Sequence, residues 1–153
     1  MKSRMTVMGV APQIAVPSFL YLGATIALHY ALFPFFAFTA APGLGMRIVG
    51  AALIAFGLFV LLYSGLGVLY AFRTQRLLTR GFFAVSANPM YTSYILAIVP
   101  GLALVLDSWL VLTGSAVLYA LFRTLIPAED RWLKEKFGAQ YDAYRQRVLV
   151  KFF

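Results

Sequence analysis

The sequence predicts an all-α integral membrane protein: about four transmembrane helices, the last two a tight hairpin, then a C-terminal cytoplasmic amphipathic helix. Three observations carry that expectation. Apolar residues make up 62% of the 153 and charged residues 12%, with a mean hydropathy of +0.84. A soluble domain holds about 25% charged residues, and this chain has too little polar surface to coat a water-soluble ball of its size. Long apolar runs recur along the chain, and the basic residues fall almost entirely on one side of them. With no cysteine, one histidine and five carboxylates, a disulfide scaffold, a thiol catalyst and a histidine-rich metal centre are excluded, and no metal is expected.

The chain reads as a single membrane domain, 1–153, with spans at about 11–36, 48–72, 91–106 and 109–126. A bilayer core about 30 Å thick needs roughly 20 helical residues. The first two spans meet that requirement. The last two meet it as a hairpin turning at Asp107-Ser108, or as helices in a locally thin bilayer. Pro12 and Pro17 fall in the first turns of span one, where proline is tolerated. Pro34 closes that span, and residues 39–43 make the outer turn. The span is too long for a signal-peptide core and reads as retained. His29, inside it, is expected to make an inter-helix hydrogen bond.

Charge sets the orientation. Of the 13 Lys and Arg residues only Arg47 falls on the far side, so both termini are expected to be cytoplasmic. A basic rim facing anionic headgroups explains the net charge of +8, and no nucleic-acid partner is expected. The compact chain suggests a prokaryotic plasma membrane. Its oligomeric state is not legible.

Two cytoplasmic segments, 73–90 and 127–148, hold the remaining signal. In the second, Leu133, Phe137, Tyr141, Tyr144 and Val148 recur at helical spacing, opposite a basic face, as in a helix lying on a membrane surface. In the first, Gly81 frees the backbone to turn, and Asn88-Pro89 opens span three with Pro89 as its first helical residue. Glu129-Asp130 places two of the five acids where span four leaves the membrane. Such a pair either complements a helix N-terminus or serves a function at the bilayer boundary.

Taken in order, these elements resemble the superfamily of integral membrane methyltransferases that includes isoprenylcysteine carboxyl methyltransferase and the phospholipid methyltransferases. The resemblance lies in Leu77-x-Thr79-x-Gly81-x-Phe83 and Asn88-Pro89-Met90-Tyr91. After a helical hairpin it resumes in Glu129-Asp130, then Leu133, Phe137-Gly138, Tyr141 and Tyr144. It covers residues 77–148.

The resemblance implies S-adenosylmethionine as cofactor, bound on the cytoplasmic side, and a lipid or lipophilic small molecule as methyl acceptor, of lipid-amine or isoprenoid/carboxyl type. It implies cofactor-binding roles for Gly81, Phe83, Asn88, Pro89, Tyr91, Glu129 and Asp130, and catalytic roles for Glu129 and Arg123. In-line methyl transfer needs alignment of donor and acceptor more than a metal or covalent nucleophile. The chain departs from the family pattern at Ala87, where the carboxyl-methylating branch has Arg, and at Asp130, where a second Glu is usual. Losing a bidentate carboxylate binder brings the chain nearer the phospholipid-methylating branch. Two other functions remain open: a sterol-reductase-like membrane protein binding NADPH, and a degenerate, non-catalytic membrane interaction protein. The Gly-Leu-Gly triplets at 43–45 and 65–67 stay unassigned, with close helix packing as their simplest use.

Overall fold

A computed structural model describes residues 10–39 and 43–150. Lys2, Arg4 and Lys151, three of the orientation charges, lie outside the described residues, as does the middle of the outer turn at 39–43. The described residues are helical, joined by turns and two isolated bridges. The helices are α1 (Ala11–Ala31), α2 (Leu44–Thr74), α3 (Phe82–Val85), α4 (Pro89–Ser93), α5 (Val99–Val105), α6 (Trp109–Phe137) and α7 (Ala139–Arg147). A single π-helical segment, Tyr94–Ile98, joins α4 to α5. α1, α2 and α6 are long and apolar enough to cross a bilayer, whereas the joined segment Pro89–Val105 is shorter, about 26 Å at 1.5 Å per residue.

The boundaries differ from expectation for local reasons. α1 ends at Ala31 rather than near residue 36. Pro34 has no N–H to continue the helix and biases Phe33 away from helical geometry. The chain after it folds back on the α5–α6 turn, where the Trp109 amide donates to the Phe36 carbonyl at 3.1 Å. α2 is longer than expected, 31 residues or about 46 Å, and closes on Gln75 in the left-handed region, at φ 54. Pro100, next to the first residue of α5, explains the π turn. Widening the turn before it relieves the clash between the proline ring and the carbonyl four residues back.

The largest correction concerns the C-terminus. α6 does not stop near 126; it continues through Pro127 to Phe137. The helical hydrogen bond that proline deletes is the one to the Arg123 carbonyl, and both residues are exposed. The break comes at Gly138, whose φ of 53 and ψ of −130 send the short α7 in a new direction. Tyr141, Tyr144 and Val148 are buried against Phe83, with Leu77, Leu133 and Phe137 around them. The face read as membrane-seeking therefore closes on the 77–87 loop.

A second core joins α1, the shorter segment Pro89–Val105 (the third span expected from the sequence) and α6 through Ile14, Ile95, Val99, Leu118 and Phe122. α2 meets the third span backbone to backbone. A Cβ on Gly50 would lie 2.6 Å from the Gly101 carbonyl oxygen, and one on Gly101 would lie 2.6 Å from that of Gly50. α1 packs on α6 and α2 packs on the third span, but α1 and α2 scarcely touch. A cleft lies between them.

Candidate functional site

The cleft deepens at the end where Asn88 and Glu129 lie into a cavity of about 570 Å³, within the usual size range of small-molecule sites. Its apolar flank comes from α1 (Ile14, Phe19, Leu22) and α2 (Leu69, Phe72). Phe19 is 57% exposed and Leu69 49%, so the cavity opens sideways on the apolar girth of the bundle. Its opposite wall carries Asn88, Pro89, Tyr91, Glu129, Trp132 and Lys136, with Arg76 from the loop.

The backbone of Asn88 is held on both sides. Its N–H donates to Ser86 Oγ at 3.1 Å, and its carbonyl accepts from the Thr92 amide and hydroxyl, each at 3.0 Å. The side chain makes no capping bond. Its Nδ2 is shielded from water and has no hydrogen-bond partner among the described residues. An unpaired shielded donor is costly, so this amide is suited to an acceptor atom of a bound molecule. Tyr91, one turn along, packs on Phe122 with tilted rings whose centroids are 5.4 Å apart, and lies within electrostatic reach of Glu129.

Glu129 is the only carboxylate in the lining among the described residues. It accepts a hydrogen bond from the Val10 amide, at the amino end of α1, where a helix favours negative charge. Lys136 lies over the Trp132 ring at 4.8 Å and the Phe137 ring at 5.3 Å. The cavity thus offers an anion and aromatic faces to a cation, with two basic side chains at its edge for an anion.

Other expected residues stand elsewhere. Phe83 is in the lining, as are Tyr141 and Tyr144. Gly81 is not; its φ of 64 serves a turn against Tyr63, whose hydroxyl would be 2.9 Å from an added Cβ. Asp130 also lies outside the lining. It accepts a hydrogen bond from the Tyr141 hydroxyl and pairs with Arg145 at 3.4 Å, so it braces α6 against α7. Arg123 is exposed and outside the lining. His29 is buried among aromatic rings, outside the lining, its Nδ1 without a partner among the described residues. Burial, and then Asp130, push the Tyr141 hydroxyl pKa up. Burial raises that of Tyr144 to about 12, so both remain donors at neutral pH. Tyr144 donates to the Phe83 carbonyl at 2.8 Å.

The sequence reading missed Arg76, Trp132 and Lys136. Positions 129, 132, 133 and 136 form one face of a helix, a signal masked by reading Lys136 as part of the basic face opposite Leu133. Of the glycine triplets, Gly65 lines the cavity and Gly67 packs near Leu78 and Phe83, whereas Gly43 and Gly45 approach nothing within 4 Å.

Fold and site together define an integral membrane protein with a cavity at one end of a helical bundle. A family model described as phospholipid methyltransferase matches residues 45–140, from the first turn of α2 into α7, and the chain belongs to that family. It is also similar to protein-S-isoprenylcysteine O-methyltransferase B of Arabidopsis thaliana, 29% identical over 74 residues. That stretch is 48% of this chain and 38% of the plant protein. No solved structure matches.

Proposed function

We propose that the protein transfers a methyl group from S-adenosylmethionine to a lipophilic acceptor at the cytoplasmic boundary of the membrane. In this reading the third span also crosses, and both termini are cytoplasmic. One observation carries the proposal: Asn88, Tyr91 and Glu129, from two motifs some forty residues apart, share one wall of a cavity that also opens on the lipid-facing flank. A water-soluble donor and an oily acceptor can each enter such a site from its own phase.

The residues fit the cofactor. Glu129 and the Tyr91 ring suit positive charge, the unpaired Asn88 amide suits an acceptor atom, and Lys136 and Arg76 suit the cofactor's carboxylate. When bound, the cofactor supplies a methyl carbon made electrophilic by a positively charged sulfur. The chain does the rest. Ile14, Phe19, Leu22 and Leu69 exclude water and hold an apolar acceptor; alignment within about 3–3.5 Å is the main requirement of such a displacement. Glu129 takes the proton of an amine acceptor on a carboxylate oxygen. With Ala87 in the wall and Arg76 assigned to the cofactor's carboxylate, no second guanidinium in the lining is left for a carboxyl acceptor, which favours a lipid amine.

The test supplies isotope-labelled S-adenosylmethionine to the protein in vesicles containing phosphatidylethanolamine, with an isoprenoid acid in a parallel arm. Label is expected in the lipid extract of the phosphatidylethanolamine arm, reduced by about a hundredfold, ~2.7 kcal/mol of barrier, in Glu129→Gln. Label only with the acid would overturn the amine assignment. No label in either arm, with NADPH bound instead, would replace methyl transfer by the reductase reading.

A further inference from the structure

Behind the wall formed by Arg76, Leu77, Phe137 and Tyr144 lies a second, open hollow of about 770 Å³, between the 75–84 loop and α7. Arg76, Arg80 and Arg147 line it together with Thr79 and Gln140, and among the described residues its lining contains no acid. None of the three arginines meets a carboxylate among the described residues. The nearby acids are already engaged, Asp142 with Lys134 at 3.0 Å and Asp130 with Arg145 at 3.4 Å. Three exposed guanidinium groups around a concave surface sum to a positive potential that favours an anion between them, and tetrahedral phosphate oxygens suit their planar donor sets.

The hollow also has a definite position along α2. After Gln75 the loop runs back along α2, so that Phe82 meets Phe59 and Tyr63 with ring centroids 6.0 and 5.4 Å away. Tyr63 stands eleven residues before the end of α2, about 16 Å down its axis. Beside the hollow, the Leu149 amide donates to the Ala84 carbonyl and the Val150 amide to the Val85 carbonyl. Val85 is 45% exposed and Leu149 77%, so apolar side chains adjoin the arginines. Basic groups beside exposed apolar ones match the transition from headgroups to acyl chains.

We propose that this hollow binds a phosphate group, that of an anionic lipid headgroup, outside the methyl-transfer cavity. Arg80 and Arg147 grip the phosphate, while Arg76, which faces both spaces, couples its occupancy to the cofactor cavity. The site is independent of the proposed reaction, and its test uses a lipid that cannot accept a methyl group on nitrogen.

Full-length protein is stripped of lipid in detergent. Binding of phosphatidylglycerol, phosphatidylcholine and inorganic phosphate is then measured by native mass spectrometry and by competition. Phosphatidylglycerol is expected to bind at least about tenfold more weakly to Arg80→Gln/Arg147→Gln than to the native protein. Phosphatidylcholine, whose choline charge offsets its phosphate, should bind the native protein more weakly than phosphatidylglycerol and lose less in the variant. The Arg80→Lys/Arg147→Lys pair should keep most of the affinity, and Arg131→Gln, outside the hollow, all of it. Helical circular dichroism checks folding, and Arg147→Gln alone serves if the double variant does not fold. Equal phosphatidylglycerol binding by native protein and folded variant would overturn the site. Arginine-dependent binding of inorganic phosphate without phosphatidylglycerol would overturn the lipid source and make the ligand a free phosphate.

Discussion

Neighbouring acids at 129 and 130 do different work because successive helical residues point about 100° apart. Glu129 turns into the cavity and Asp130 turns toward α7. Glu129→Gln keeps an oxygen for the Val10 amide, so it should change stability by less than about 1 kcal/mol while abolishing most methyl transfer. Thermal unfolding in detergent and the labelled-methyl assay separate the two effects. Asp130→Asn should show the opposite balance, lower stability with cofactor affinity largely kept, because Tyr141 and Arg145 lose a charged partner. Gly81→Ala forces a side chain to φ 64 and against Tyr63, and should destabilise the fold by about 1–3 kcal/mol, read as a lower unfolding midpoint. The family motif made Asn88, Tyr91 and Glu129 legible as candidates. It did not separate residues that line the cavity from those, like Gly81 and Asp130, that shape its supports, because a motif records identity and not direction.

Among elements, α7 depends on a few contacts: the Tyr144 hydroxyl on the Phe83 carbonyl, Tyr141 on Asp130, and the amides of Leu149 and Val150 on the loop. Tyr144→Phe leaves a buried carbonyl unsatisfied, at a cost of about 1–3 kcal/mol. Faster hydrogen exchange across α7 and the 82–86 loop, with α6 protected as before, is the expected signature. The pH response has a fixed sign. Burial raises the Tyr144 pKa from 10.0 to about 12, so the folded state holds this proton longer than the unfolded chain. Its contribution is complete below pH 10 and is lost as pH rises toward 12. The unfolding midpoint should fall across that window, less steeply in Tyr144→Phe. The apolar face from Leu133 to Val148 was legible as a periodicity, but its destination was not. Proline marks a possible boundary in sequence, and here the hydrogen bond lost at Pro127 falls on an exposed face while Gly138 makes the turn.

At the scale of the molecule, the arrangement of α1 and α2 on separate partners creates the cavity. The apolar spans announce a membrane bundle, but not which helices stand apart. That depends on close approaches such as Gly50 to Gly101, which have no distinctive local pattern, and on the π turn, for which Pro100 is the local cue but not a unique one. If the cleft admits the acceptor, Leu69→Trp should raise the acceptor KM several-fold while leaving cofactor affinity within about twofold, because an added ring obstructs the apolar flank and not the wall bearing Asn88 and Glu129. The central claim, that this wall holds S-adenosylmethionine, is tested most directly by calorimetric titration with S-adenosylhomocysteine of lipid-supplied native protein, Glu129→Gln and Arg123→Gln. Saturable binding at micromolar strength, weakened at least about tenfold in Glu129→Gln and retained in Arg123→Gln, is the expected result. No binding to the folded native protein, or equal binding by all three, would contradict it.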